Sequence, residues 1–220
     1  MRHIYHWSFV LALIIAAAVV LWVSGKFDTK TEEPGPPPPE SQQATFGCGC
    51  FWCSEAIFQQ VRGVHSAIPG YSGGTVKNPS YRQVCNQDTG HAEVIQITFD
   101  PNVVSFQELL EVFWRTHDPT TRNRQGNDVG PQYRSVIFYH TEEQRLLAER
   151  FKQKVDASGA FAAPIVTEIA SFTAFYPAEE YHQNYYRNNP ENPYCSRVIQ
   201  PKLDKFEKVF KGNVRFPSQK

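Results

Sequence analysis

Three of the chain's five cysteines fall within "FGCGCFWCSE", Phe46 to Glu55, at Cys48, Cys50 and Cys53. This spacing admits three chemistries: a metal site, a disulfide staple, or a reactive thiol with its recycling partner. An odd cysteine count cannot pair completely within one chain, so at least one thiol is free or transiently bonded. A structural zinc site normally takes four ligands from well-separated pairs. Here the remaining candidates, Cys85, Cys195 and the histidines, stand alone. Cys50-Phe51-Trp52-Cys53 has the CxxC spacing of redox pairs. Cys50 also stands just ahead of a helical pattern, where the positive end of the helix dipole lowers a thiol pKa. Cys85 is expected to be a buried, inert thiol. Two large rings beside a reactive sulfur suggest a pocket for an apolar group that must approach it; the plainer alternative is core packing.

A second candidate lies in "HAEVIQITFD", His91 to Asp100, which alternates as a strand does. Glu93, Ile95, Ile97 and Phe99 share one face, which should bury the Glu93 carboxyl. Desolvation penalises the ionised form, so the pKa rises and the side chain becomes a proton donor in an apolar site. The competing reading leaves Glu93 half-solvated in the first turn of the strand.

The elements that must hold these groups follow from periodicity and punctuation. Ile57, Val61 and Val64 form a helical stripe after the cysteines, with Gly63 near its end. "GYSGGT" and "NPSY" read as turns. Ser105 and Glu108 make a capping box for a helix stopped by Pro119, and Thr141 caps another that runs to about Asp156. Gln132 to His140 and Pro164 to Phe172 read as strands. Pro177 to Asn188 and Pro201 to Lys211 read as helices, which makes His182 a packed helix histidine. This irregular interleaving suggests an α+β domain.

The 22 basic and 22 acidic residues cancel. Without a basic footprint, nucleic-acid binding is not indicated. Phe9 to Val23, "FVLALIIAAAVVLWV", is uncharged and apolar with Trp7 and Trp22 near its edges. It suits an uncleaved transmembrane anchor better than a cleaved signal peptide, whose passable site is Val23-Ser24-Gly25. Either reading places the remainder outside the cytoplasm, periplasmic, at the cell surface or secreted. The expected organisation is residues 1–25 as anchor or signal, 26–44 as a linker bearing "PGPPPPE", 45–212 as catalytic domain and 213–220 as tail. The prolines favour a semi-rigid polyproline II stalk.

Several ordered motifs, "GCFWCSE", "GYSGG", "YRQVCNQDTGHAE", "HDPTTRNRQGNDVGPQYRS", "EEYHQNYY" and "YCSRVIQPKLDKF", resemble those of the A-type peptide methionine sulfoxide reductases. The resemblance runs from Thr45 to about Lys211. It implies a single α+β domain with a mixed sheet and packed helices. It also implies reduction of methionine S-sulfoxide, in oxidised proteins or as the free amino acid. It assigns Cys50 as nucleophile, Phe51 and Trp52 as acceptors of the substrate methyl, and Glu93 as the acid serving the sulfoxide oxygen. Tyr81 and Tyr133 would hold that oxygen, and Asp128 would line the site. Cys195 matches the resolving thiol and is the expected one, because a flexible C-terminal stretch can reach Cys50 whereas a CxxC in a first helical turn needs local strain. Cys53, standing where many members have glycine, competes for that role or exchanges with Cys195. Cys48 matches no role. No metal or bound cofactor is implied; a thioredoxin-like reductant, or dithiothreitol in vitro, supplies electrons to a monomeric enzyme. The alternatives are a general thiol–disulfide oxidoreductase using Cys50 and Cys53, and a zinc-binding interaction module. Against the first, no strand of a βαβ unit is read ahead of Cys50.

Overall fold

The computed structural model of the chain describes residues 40–210. Strand β1 (Gln42–Cys48) leads directly into helix α1 (Phe51–Phe58), followed by β2 (Val64–Ser72), α2 (Tyr81–Cys85), β3 (Ala92–Phe99) and α3 (Phe106–Thr116). A short ribbon, β4 (Arg124–Gln125) and β5 (Asp128–Val129), and a 3-10 turn (Pro131–Tyr133) precede β6 (Ser135–Tyr139) and α4 (Glu142–Ala157). Then come β7 (Glu168–Ser171), β8 (Phe175–Pro177), a 3-10 turn (Glu180–His182) and α5 (Tyr185–Asn188). A π-helical turn (Cys195–Ile199) opens α6 (Gln200–Val209).

Six strands form one mixed sheet in the order β7-β6-β1-β3-β2-β8. Only β6 and β7 run parallel; the other pairs are antiparallel. β1 opposes β3 from Gln42↔Phe99 to Phe46↔Ile95, so the end of β1 lies beside the start of β3, where Glu93 sits. On the other side Tyr71 of β2 is paired with Glu93. The α+β reading therefore stands, and the strand ahead of Cys50 that the sequence reading lacked is β1. It is not the first strand of a βαβ unit, because β1 is flanked by antiparallel β3 and β6.

Caps explain several boundaries. Ser105 accepts from the Glu108 amide while Glu108 accepts from the Ser105 amide, closing the capping box at α3. Thr141 accepts from the Gln144 amide at α4. Ser80 and Gln83 form a further capping box on α2, where turn chemistry alone was expected. Other expectations fail for physical reasons. α1 ends at Phe58, so Val64 belongs to β2 rather than to a helical stripe. β2 runs on through Gly70, Tyr71 and Ser72, the start of the "GYSGGT" stretch read as a turn, because strands on both sides hold them extended. Gly70 is needed there, since a Cβ would lie 2.4 Å from the Tyr176 carbonyl oxygen. The helix expected over 177–188 is instead the end of β8, a 3-10 turn and α5, broken by Asn184 at φ 53°. β1 starts at Gln42, so its first residues lie in the stretch assigned to the linker. The apolar run at 9–23 lies outside the described residues, among which no helix is long and apolar enough to cross a membrane.

The core under the sheet centres on Phe46, whose ring lies 5.7 Å from Phe58, 5.9 Å from Phe106 and 5.2 Å from Phe113. This cluster joins β1, α1 and α3, and it includes Cys50, Cys53, Cys195, Leu203 and Phe206. The elements that carry the thiols therefore share one apolar floor. Phe46→Ala should cost about 3–5 kcal/mol, the range for removing a buried phenylalanine, measured by chemical denaturation. A loss under ~1 kcal/mol would mean that the surrounding rings collapse into the void.

Candidate functional site

Cys50 is the N-cap residue of α1. Its carbonyl accepts from the Cys53 and Ser54 amides and begins the helix, while its side chain makes no cap and is left free for chemistry. The chain arrives through Gly49 at φ 89°, and a Cβ there would lie 2.5 Å from Cγ of Gln125. Glycine is required for both reasons. Gln125 is itself fixed, accepting from the Asp118 amide at 3.1 Å and donating to the Asp118 carbonyl at 3.0 Å.

All five cysteines are free thiols. Burial pushes the Cys50 thiol well above its ordinary value, contrary to the expectation of a dipole-lowered pKa. A helix of two turns does not offset removal of the sulfur from water. Cys53 is the member of the pair that is lowered, to about 7, by the adjacent Cys50 thiol and by Lys202 against the opposing effect of burial. The two sulfurs titrate as a unit, with a proton held on Cys50 and negative charge favoured on Cys53. Lys202, in the first turn of α6, lies near Cys53, Cys48 and Cys50; burial opposes its charge, and the nearby thiols raise its pKa. Cys48 is pushed up to about 11 by burial, with its sulfur 2.9 Å from the Ser54 hydroxyl. Cys195 is 1% exposed, packs in the same core cluster, and opens a helical turn continuous with α6 rather than a free strand of chain. Pro201 offers no N–H to the preceding turn, consistent with the widened helix there. Cys85 is half-buried beside Tyr81, not sealed in the core as expected.

Glu93 is 1% exposed, as the strand alternation required. Burial pushes its pKa up to about 8, opposed by the Phe51 amide, which donates to Oε2 at 3.1 Å. That amide is one of the unpaired donors at the α1 N-terminus. The other carboxyl oxygen is left to carry a proton. Tyr81 opens α2 and Tyr133 ends the 3-10 turn before β6. Both hydroxyls are held protonated by burial and then by the nearby Glu93. Asp128 accepts from the Tyr194 hydroxyl at 2.9 Å, and that hydroxyl also lies 4.0 Å from the Cys53 sulfur. The structure thus gathers Cys50, Cys53, Glu93, Tyr81, Tyr133 and Asp128 around the start of α1. Among the described residues no three His, Cys, Asp or Glu side chains converge in an arrangement able to hold a metal.

Phe51 is buried and Trp52 half-buried, forming the apolar wall beside the sulfur. The Phe51 ring lies 6.4 Å from Tyr81 and 5.9 Å from Tyr71. The Trp52 indole N–H donates to Nδ1 of His182 at 3.1 Å. His182 thus sits on a 3-10 turn against the aromatic wall, 4.5 Å from Tyr81, rather than inside a helix. Sequence reasoning missed Tyr194, Lys202, Glu55 and Glu179. Glu179 accepts from the Tyr81 amide at 2.8 Å and the Tyr71 hydroxyl at 2.9 Å, and so seats Tyr81. The signal available for these four was their place inside the quoted motifs; their partners are remote in sequence.

With this geometry in view, known proteins can be compared. The family model described as "Peptide methionine sulfoxide reductase" matches residues 42–214. A peptide methionine sulfoxide reductase MsrA of Leptospira borgpetersenii is 58% identical over 168 residues, covering 76% of this chain and 94% of the relative. One from Sulfolobus acidocaldarius is 55% identical over 174 residues, covering 78% and 98%. The reduced form of Mxr1 from Saccharomyces cerevisiae superposes with a TM-score of 0.66 at 35% identity, over 72% of this chain and 91% of that one. Methionine sulfoxide reductase A of Corynebacterium diphtheriae gives 0.64 at 35% identity, over 70% and 78%. A buried acid, two phenols and a thiol at a helix start lie within a match that spans the whole described domain, and the chain belongs to the peptide methionine sulfoxide reductase family.

Proposed function

We propose that the chain reduces the S-sulfoxide of methionine, in oxidised proteins or as the free amino acid, with each step assigned to residues of this site. The observation that carries the assignment is the buried Glu93 carboxyl, bonded to the first amide after Cys50 and adjoining Tyr81 and Tyr133. A sulfoxide sulfur becomes electrophilic as charge on its oxygen is neutralised. Glu93 gives its proton to that oxygen while the two phenols donate hydrogen bonds to it, and Phe51 and Trp52 enclose the methyl. The Cys50 sulfur attacks the sulfoxide sulfur as its thiol proton passes to the carboxylate left on Glu93. The oxygen then transfers to Cys50 as the substrate S–O bond breaks, giving methionine and a Cys50 sulfenic acid. A second thiol then displaces water to form a disulfide. Cys53, one turn along α1 from Cys50 and with its pKa lowered to about 7, does this first in this reading. Cys195, buried against the same cluster, then attacks Cys53, returns Cys50 as a thiol and leaves Cys53–Cys195 for a dithiol reductant of thioredoxin type.

The remaining assignments belong to the same proposal. The enzyme acts as a monomer, anchored through the apolar run at 9–23 with its catalytic domain outside the cytoplasm. Intact mass of protein from its host distinguishes a retained anchor from a cleaved leader.

The reaction is tested by incubating purified protein with a methionine sulfoxide peptide and dithiothreitol. Cys50→Ser should abolish turnover; undiminished turnover by that variant would sink the mechanism. Protonated Glu93 is required and its pKa is about 8, so the chemical step should fall as pH rises through about 8. Glu93→Gln keeps a hydrogen-bond donor and should lose less activity than Glu93→Ala, while losing the fall in rate near that pH. Equal losses in the two variants would argue against donation.

Recycling separates the thiols. Cys195→Ser should complete a single turnover but stall with thioredoxin; full recycling would leave Cys53 as the sole partner. Cys53→Ser should let the Cys50 sulfenic acid accumulate for trapping. Lys202→Met should raise the pH midpoint at which Cys53 is alkylated, and Lys202→Arg should restore it. Unchanged midpoints would remove Lys202 from the account.

A further inference from the structure

Glu55 lies one turn beyond Trp52 on α1 and is 1% exposed. A buried carboxylate needs partners, and this one has two from a distant part of the chain. The Asn184 amide donates to Oε1 at 2.6 Å and the Tyr185 amide to Oε2 at 3.1 Å. Tyr185 is the first residue of α5, and Asn184, in the N-cap position, makes no side-chain cap. The missing cap is therefore supplied from outside by Glu55. Asn184 is in the left-handed region at φ 53°, and its side chain accepts from Gln59, also of the α1 region, at 3.0 Å.

The consequence of this anchorage falls on Trp52. The Tyr185 ring lies flat on the indole, with centroids 3.6 Å apart and planes within 6°. The His182 acceptor holds the indole N–H, and the Tyr194 ring meets Trp52 edge-on at 5.7 Å. One face of the indole is thereby closed and its tilt is set. Only the remaining face can serve a ligand, next to Phe51 at 6.3 Å.

We propose that Glu55 is a positioning residue that sets the width of the methyl pocket, and so decides which S-alkyl sulfoxides the enzyme accepts. It does not touch the reacting atoms. By capping α5 it presses Tyr185 onto Trp52, and the indole can then neither rotate nor recede to admit a larger alkyl group. This rests on the reading that Phe51 and Trp52 receive the substrate methyl. The selected class is a methyl sulfoxide over its ethyl homologue, because an added methylene in a fitted apolar pocket changes kcat/KM by roughly tenfold or more.

The test compares kcat/KM for methionine sulfoxide and ethionine sulfoxide, both as S-epimers, with dithiothreitol as reductant. Wild type should prefer the methyl compound. Glu55→Gln keeps the size but replaces one of the two acceptor oxygens with a donor, and should narrow that preference severalfold, chiefly through KM. Tyr185→Leu removes the stacked ring without altering Glu55 and should narrow it similarly, which provides a second route if the Glu55 variant folds poorly. Glu55→Asp, which retains the carboxylate, should recover part of the preference. A merely structural role would lower the melting temperature and scale both substrates alike, and that outcome would overturn the proposal. Trp52→Ala separates the two levels of the argument. If it abolishes the preference while Glu55→Gln and Tyr185→Leu do not, the positioning role fails and the pocket stands. If Trp52→Ala leaves the preference intact, the pocket reading falls and takes the role of Glu55 with it.

Discussion

The hydrogen bond from the Phe51 amide to Glu93 is the contact on which the site depends. It joins the first turn of α1 to the central part of the sheet and satisfies a helix donor that would otherwise be buried unpaired. The bond favours the ionised carboxylate, but burial outweighs it and pushes the Glu93 pKa up to about 8. Ionised Glu93 would oppose negative charge on Cys50 a short distance away, and it contributes to raising that thiol. A resting state with both groups ionised is therefore disfavoured. In the proposed mechanism the sulfoxide resolves the conflict, since its oxygen takes the Glu93 proton as the Cys50 sulfur attacks. Acid and nucleophile are thus matched through their dependence on one proton acceptor, without a metal being needed to polarise the oxygen.

Much of this was legible in the residues themselves. Alternation in β3 placed Glu93 on a buried face, a capping box marked α3 and Thr141 marked the start of α4, because these signals are local. β2 and β8 were not legible. Gly70, Tyr71 and Ser72 open a stretch with turn chemistry, and the extended conformation is imposed by pairing with Glu93-bearing β3 on one side and β8 on the other. Tertiary pairing outweighs propensity there. The same division holds in the site. Cys50, Phe51, Trp52 and Cys53 lie within one short motif whose spacing is informative by itself. Glu55, Glu179, His182, Tyr194 and Lys202 act through partners far along the chain, and nothing in their own neighbourhoods announces those partners.

These late residues have a common origin. From Ala178 to Val209 the chain lies along the mouth of the site, and each of its contacts fixes a different component. Glu179 seats Tyr81, His182 holds the Trp52 indole, Tyr194 bridges Asp128 and Cys53, and Lys202 places charge beside the thiols. Leu203 and Phe206 bury the end of this segment in the core that also contains Cys50 and Cys53. The segment that carries Cys195 is therefore the one that completes the pocket.

The unequal acidities of the two thiols fit the order of the chemistry. An attacking thiol is most effective when its pKa lies near ambient pH, since a lower pKa weakens the nucleophile and a higher one leaves it protonated. Under the proposed mechanism the lowered pKa of Cys53 suits attack on a sulfenic acid, while burial favours the protonated form of Cys50 in the resting site. A nucleophile that stays protonated while the pocket is empty is protected from adventitious oxidation, which depends on thiolate character and exposure. In the proposed sequence the lowered pKa of Cys53 would then serve the next step, closing the sulfenic acid before it oxidises further, with Lys202 supplying the charge beside it.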